Sequence, residues 1–369
     1  MGNIINDNNN LYTLTDLHSH LLGVLPAENM LQIGLKHNLQ VPVEHIVSMG
    51  LDCGLVDVNN ECVSLKQILD VFKDGYWVNL TYNDNQKDGD THISLVKNYY
   101  YRSVYFKDSA MLKDILHEIA VFYKSMGVKY VELTTKWFYK EYFLNVVSEA
   151  LPTIESETGV KIRFLASIDR TYNEERLNEF INYAIDLINN PYIVGVDFLG
   201  NEIESVDKLK GVIELITEAV LTKNNHYCIR VHSGEKDNFI NNTLDVLNII
   251  KNKKESMEIQ NNTKYNYPYI RIGHALYGFN EQCINLCKEL NVIIEINSTS
   301  NIKLNNVTNA NNIPLRRYLD KKLKVVLGTD SPGLFNTTTI KELEIAKSIG
   351  LTHGELIDII ELEEQIINR

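Results

Sequence analysis

No run in this 369-residue sequence approaches the roughly 18 consecutive apolar residues that a bilayer-spanning helix needs, so no membrane role is expected. Basic side chains are in deficit. The 36 Lys and Arg stand against 48 Asp and Glu, a formal net charge of −12. Phosphate backbones are held by clustered Lys and Arg, so no nucleic-acid partner is expected either. Cysteine is sparse, and no CxxC pair occurs. Cys53, Cys62, Cys228, Cys283 and Cys287 form an odd, scattered set that reads as reduced thiols in a cytoplasmic protein. Met1 to Asn10 lacks both the basic and the apolar regions of a secretory signal, and this Asn-rich tip is expected to be disordered.

What remains is ordinary globular material, 44% hydrophobic and 23% charged. Eight apolar runs bounded by turn residues read as strands: Leu11–Leu17, Lys129–Thr134, Lys161–Ile168, Tyr192–Phe198, Tyr227–His232, Tyr269–Ile272, Val292–Ile296 and Leu323–Gly328. Helical periodicity lies between them at Ala110–Ser125, Glu174–Ile188, Ser205–Leu221 and Glu281–Leu290. Strands alternating with helices predict an α/β fold with a parallel sheet, either a (β/α)₈ TIM barrel or a doubly wound sheet. Residues 11–369 then form a single domain. The first gap is abnormally long, and residues 21–128 are expected to contain a helical, lid-like insertion after strand 1, with helix-like pieces at Glu28–Lys36 and Ser64–Phe72. Within it, Tyr99-Tyr100-Tyr101 reads as packing, with stacking on a purine as the alternative. The polar stretch Asn252–Tyr267 reads as an exposed loop.

The chemistry sits where the strands end. His18 and His20 close strand 1 two residues apart, which points both imidazoles the same way. His232 ends strand 5, His274 follows strand 6, and Asp330 follows strand 8. Barrel enzymes place catalysis at these C-terminal strand ends. Neutral imidazoles plus a carboxylate make a zinc donor set, so His18, His20, His232 and Asp330 are the candidate metal ligands. Glu235 lies three residues past His232, where Gly234 lets the chain turn its carboxyl group back toward the metal. In a desolvated pocket a carboxyl pKa rises, so Glu235 is the candidate general acid. His353-Gly354-Glu355 matches half of a nucleobase-deaminase signature but lacks the Pro-Cys-x-x-Cys that completes it, and it reads as the start of a solvated helix.

Taken together, the motifs resemble the adenosine deaminase family. Asp16-Leu17-His18-Ser19-His20-Leu21-Leu22-Gly23 looks like its strand-1 signature, and His232-Ser233-Gly234-Glu235 like its His-Ala-Gly-Glu. Gly273-His274, Asn297-Ser298-Thr299-Ser300-Asn301, Gly328-Thr329-Asp330-Ser331-Pro332 and Gly195-Val196-Asp197-Phe198-Leu199-Gly200 are similar to its remaining motifs, in the family order. The resemblance implies a TIM barrel and one zinc ion per chain, because no Lys occurs in Tyr192–Gly200 to bridge a second metal. It implies hydrolytic deamination of an adenine-type purine, most simply adenosine to inosine and ammonia. Glu235, His274 and Asp330 would be the catalytic groups, and His20, Leu22, Gly200 and Ser331 the substrate contacts. Two departures stand out. Leu22 replaces an acidic residue that meets the ribose hydroxyl, and Ser331 replaces an Asp that holds N7. A 5′-modified adenosine, adenine or another amino-purine is therefore an alternative substrate. A different metal-dependent amide or ring hydrolase and an impaired nucleoside-binding protein are the rival functions.

Overall fold

The computed structural model describes residues 6–7, 10–11, 13–51, 61–82, 91–224 and 226–368. Most of the Asn-rich tip, and Cys53, lie outside them. Within the tip, Asn6–Asp7 pairs antiparallel with Asn10–Leu11. Eight parallel strands follow: β1 Leu14–His20, β2 Val128–Thr135, β3 Lys161–Asp169, β4 Ile193–Leu199, β5 Cys228–Ser233, β6 Tyr269–His274, β7 Ile293–Ile296 and β8 Lys324–Leu327. Each pairs with its sequence neighbour. The ring closes where Asp330, just past β8, donates its amide to His18 O at 2.8 Å and accepts from the His20 amide at 2.7 Å. This is the (β/α)₈ TIM barrel.

Parallel strands buried on both faces are nearly continuous apolar runs, which is why these eight could be recognised. Ile162, Phe164, Ala166 and Ile168 of β3 are fully buried, as are Val131 and Leu133 of β2. Seven strands lie within a few residues of their expected bounds. β1 is displaced, running from Leu14 to His20 rather than from Leu11, so both histidines lie inside it.

The insertion after β1 is helical. It comprises α1 Ala27–Lys36, α2 Val43–Ser48, α3 Leu65–Leu80 and α4 Thr91–Arg102, with a small antiparallel pair Gln40–Pro42 and Cys62–Ser64. Ser64 and Gln67 form a capping box that starts α3. The buried Arg102 guanidinium ties α4 to the end of α3 and to the turn that leaves β1. It donates to Leu80 O at 2.6 Å, Leu25 O at 2.6 Å and Leu22 O at 3.1 Å. Three peptide oxygens thus satisfy a charge that has no carboxylate among its hydrogen-bond partners.

The crossover helices are α5 Ser109–Ser125, α6 Glu141–Thr158, α7 Glu174–Asp186, α8 Lys210–Lys223, α9 Asn242–Asn261 and α10 Glu281–Glu289. The expected loop at Asn252–Tyr267 is corrected by α9, which runs on to Asn261. Val246, Leu247, Ile250, Lys254 and Met257 keep one buried stripe through the polar composition. Lys254 pairs with Glu258 one turn on at 2.6 Å, and Asn262 ends the helix in the left-handed conformation. His353 opens the last helix, His353–Ile367, behind a Thr352/Glu355 capping box. The four described cysteines are unpaired. Among the described residues no helix is long and apolar enough to cross a membrane.

Candidate active site

His18 and His20 face the barrel interior because β1 is bulged. Its register against β2 slips between Asp16 and Ser19, so three steps on β1 match two on β2. Plain alternation would put Asp16 beside the two histidines. Instead Asp16 lies on the outer side, accepting from Tyr123 of α5 at 2.8 Å. Leu17 packs inward on Ile293 and Val326, beneath the rings. Gly273 and Gly328 leave room for the first ring. A Cβ on Gly273 would stand 2.8 Å from His18 Cε1, and one on Gly328 would stand 2.5 Å from His18 Cβ.

The three histidines then converge. Ring centroids of His18 and His232 lie 4.8 Å apart, those of His18 and His20 5.7 Å, and those of His20 and His232 5.3 Å. One nitrogen from each falls within a 4.8 Å cluster. Asp330 Oδ1 lies 3.4 Å from His20 Nε2. His274 joins from β6, its centroid 5.2 Å from that of His18. Both His274 (φ +68°) and Asp330 (φ +61°) have left-handed backbones, which cost about 1–2 kcal/mol each for residues bearing a Cβ. The strain buys direction: it turns both side chains over the barrel mouth.

Each ring is gripped from behind. His18 Nδ1 meets Glu295 Oε2 at 2.6 Å, His232 Nδ1 meets Asp197 Oδ1 at 2.9 Å, and His274 Nδ1 meets Asn301 Oδ1 at 2.9 Å. With Nδ1–H donated to these oxygens, each Nε2 presents a lone pair. His18 Nε2 is buried with no hydrogen-bond partner. Such an orphan is expensive unless it serves as a ligand. Burial, followed by the nearby Arg230 and His232 charges, holds His18 well below its ordinary pKa. Burial likewise lowers His20 to about 4 despite Asp330. Neutral imidazoles beside a carboxylate are the donor set that zinc takes, so the residues fit such an ion.

Beneath the rings lies a layer of buried ions. Arg230 Nη2 contacts Asp197 Oδ2 at 2.7 Å, Arg271 Nε contacts Glu295 Oε1 at 3.0 Å, and Arg271 also pairs with Glu132. Burial would raise Asp197, but Arg230 and then His232 hold it well below the carboxylate range. His232 is correspondingly raised, Asp197 outweighing the effect of burial.

Above the rings is a cleft of about 610 Å³, whose wall includes His20, Leu22, Gly200, His232, Glu235, His274 and Asp330. A cavity of similar size, about 630 Å³, opens at the opposite end among the strand starts, and none of the candidate site residues reaches it. Glu235 is buried in the cleft wall. Its pKa departs from the sequence expectation: burial pushes it up, but His274, His92 and His232 outweigh this, with an Asn306 hydrogen bond, and hold it at about 2. The sequence argument counted burial and omitted the surrounding imidazoles. Gly200 (φ +104°) turns its backbone at the wall. Ser331 is fully buried behind the wall, its hydroxyl 2.5 Å from Tyr99 Oη and 3.3 Å from Asp330 Oδ1. Tyr99 therefore covers it, and the tyrosine run divides. Tyr101 donates to Ser48 O, Tyr100 stacks on His45 at 4.2 Å while also reaching the cleft wall, and Tyr99 faces the cleft over Ser331.

Sequence reasoning did not assign Glu295, Arg230, Arg271, Glu202, Asn306 or Tyr99 to the site. The first three carried a signal, namely a charge inside an apolar strand, with Arg230 sharing the parity of His232. Glu202 and Asn306 depend on loops meeting in space, and Tyr99 on where α4 of the insertion lies over the barrel mouth.

The chain was then compared with known proteins. The adenosine deaminase family model matches residues 79–362. An adenosine deaminase of Clostridium kluyveri is 25% identical over 338 residues, covering 89% of this chain and 81% of that protein. The N6-methyl-AMP deaminase of Danio rerio is 26% identical over 257 residues, 65% of this chain and 66% of that protein. Among solved structures, Arabidopsis ADAL complexed with IMP superposes with a TM-score of 0.66 at 19% identity, covering 96% of this chain and 92% of that one.

Proposed function

This chain belongs to the adenosine deaminase family, hydrolases acting on C–N bonds of cyclic amidines, and we propose that it deaminates a 6-aminopurine nucleoside, adenosine foremost, with one zinc ion. The observation that carries this is the convergence of His18, His20 and His232 beside Asp330, with a buried, unpartnered His18 Nε2, under the cleft that holds Glu235. Zinc on these ligands supplies a Lewis acid that makes water nucleophilic near neutral pH.

The chain's own groups do the rest. His274 Nε2 and the Asp330 carboxylate take the proton from water as it adds at C6 of the purine. Glu235 delivers a proton to N1 and C6 becomes tetrahedral; the proton taken by His274 and Asp330 passes to the 6-amino group, which leaves as ammonia while the C6 hydroxyl proton returns to Glu235. In the open cleft His274, His92 and His232 favour the carboxylate form of Glu235 over the effect of burial. A purine in the cleft displaces water, and that desolvation raises the Glu235 pKa toward a working acid. Gly200 meets the ring through its backbone, and Leu22 lies where a ribose hydroxyl finds no acceptor. The unpaired thiols suit a cytoplasmic setting.

A second reading, a 5′-phosphorylated substrate, is favoured by Lys97 and Lys136, which line the same cleft as Leu22. The Lys136 ammonium lies 5.0 Å from the Trp137 ring centroid, and burial, Lys107 and Arg176 lower its pKa. An anion there would relieve that repulsion. The zebrafish relative named for N6-methyl-AMP and the Arabidopsis relative holding IMP accord with this reading.

The test is release of the 6-amino group, as ammonia from adenosine, deoxyadenosine, adenine, AMP and 5′-methylthioadenosine and as methylamine from N6-methyl-AMP, with metal content measured on the same sample. Release from adenosine supports the first reading. AMP or N6-methyl-AMP far outpacing adenosine selects the second. A zinc-loaded protein that releases neither ammonia nor methylamine from any of them overturns both.

A further inference from the structure

We propose that Asn306 and Glu202 are positioning residues that act through Glu235, one fixing its carboxylate and the other its backbone. This rests on the deaminase reading of the same site. Glu235 sits on a short loop after β5 where Gly234 has φ +69°, and a Cβ there would stand 2.4 Å from Tyr277 O. The turn opens the amides of three successive residues to one point, and the Glu202 carboxylate fills it. Oε1 accepts from Gly234 N at 3.2 Å, and Oε2 accepts from Glu235 N at 3.0 Å and Lys236 N at 3.4 Å. Asn242 Nδ2 adds a fourth donor to Oε1 at 2.9 Å. Glu202 is 2% exposed, and besides these amides its Oε1 has the Ser233 hydroxyl at 3.5 Å and the buried Arg170 guanidinium at 3.9 Å.

The far end of Glu235 is held separately. Asn306 Nδ2 donates to Oε1 at 3.0 Å. Asn306 is itself fixed, its amide bonded to Asn301 O at 3.0 Å and its carbonyl accepting from Tyr277 Oη at 2.6 Å. Asn301 is the residue that orients His274. Gly234 O completes the circle by accepting the amides of Leu276 at 2.8 Å and Tyr277 at 2.9 Å. Loops after β4, β6 and β7 therefore close on Gly234 and Glu235 in the loop after β5. With Oε1 occupied by the amide, Oε2 is the oxygen left to exchange a proton with the purine. A carboxyl group on a free loop would sample several rotamers, and misplacement of a reacting group by about 1 Å costs on the order of 100-fold. Asn306 and Glu202 remove that freedom.

Full-length, zinc-loaded Asn306→Ala, Asn306→Asp and Glu202→Gln decide the matter. They would be assayed on the best substrate of the panel, with inosine affinity as a binding control and a crystal structure of Asn306→Ala. For Asn306→Ala, kcat should fall about 10- to 100-fold with KM and inosine affinity unchanged. Asn306→Asp keeps the shape, loses the donor and sets a second carboxylate against Glu235, so it should be slower still. Glu202→Gln should lose kcat and melt earlier while keeping its zinc. In the crystal, the Glu235 side chain of Asn306→Ala should leave its wild-type rotamer. An Asn306→Asp variant as fast as wild type, or a loss confined to KM, would overturn the proposal. A wild type that releases neither ammonia nor methylamine would sink the deaminase reading instead. The crystal structure would still judge the grip, and an unmoved Glu235 would end it.

Discussion

Two polar layers are stacked inside this barrel, and they are built on opposite terms. The lower one, Glu132, Asp197, Arg230, Arg271 and Glu295, pairs charge with charge, and each of its residues is nearly or fully buried. The upper one, His18, His20, His232, His274 and Asp330, includes a lone pair with no partner and two residues with strained backbones. The lower layer has its charges paired as it stands, although Arg230 Nε is buried without a hydrogen-bond partner. The upper is finished only when something binds. Strain and unsatisfied groups gather where chemistry happens, and the layer beneath supplies the rigidity that keeps them there. Glu295 and Asp197 belong to both, since each holds an arginine below and an imidazole above.

The sharpest separation of the layers should come from Glu235→Gln, at the top of the stack. The amide keeps the shape of the side chain and its place on the loop but cannot give up a proton. Turnover should fall by about 10²- to 10⁴-fold, while zinc content and the midpoint of urea unfolding stay at wild-type values. If the variant retained the wild-type rate, Glu235 would not be the acid. If it lost zinc or unfolded early, function and stability would not be separable across the two layers.

The converse belongs to Arg271→Met. Methionine fills much of the volume but leaves Glu132 and Glu295 buried beside each other without their shared cation. Removing one partner of a buried ion pair costs about 3–5 kcal/mol. Urea unfolding should show that loss. Because Glu295 also orients His18, zinc affinity should weaken as well. A loss below about 1 kcal/mol would mean the charges had neutralised or found water, and that the lower layer is not what braces the rings.

How far these layers could be read beforehand differs for a physical reason. The barrel was legible because parallel strands buried on both faces are short apolar runs, and β2 to β8 lie close to their expected positions. The upper layer was legible because its residues end those strands. The bulge in β1 was not, since it depends on pairing with β2 and leaves no mark in the alternation of Asp16, His18 and His20. The tail of α9 was missed because Asn and Lys lower helix propensity, while the buried stripe that decides the matter is thin. The Glu235 pKa was misjudged in sign. Burial is visible in a motif, but the imidazoles of His274 and His92 come from segments distant in the chain. Glu202 and Asn306 lie on loops whose meeting point only the closed barrel defines.

A buried carboxyl group outside both layers sharpens what the arginines do. Glu363, on the last helix, accepts from Thr15 Oγ1 at 2.9 Å and from Leu327 N at 3.2 Å. Burial is the largest influence on it, and the neighbouring charge of Asp16 is of like sign. Burial therefore raises it to about 8, in contrast to Asp197, which Arg230 and His232 hold down. The sign of the consequence follows. Unfolded, this glutamate titrates near its ordinary value of 4.5, so between there and about pH 8 the folded state binds a proton that the unfolded state does not. Stability then falls as pH rises through that window, by up to about 1.4 kcal/mol per pH unit. Below the window both states are protonated and the penalty vanishes. Glu363→Gln cannot ionise, so it should be more stable than wild type at pH 7.5 by about 1–3 kcal/mol and nearly equal to it at pH 4.5. Urea midpoints of the two proteins across that range make the measurement. A difference that does not grow with pH would mean that Glu363 is ionised in the folded protein, with a cation or water doing for it what Arg230 does for Asp197.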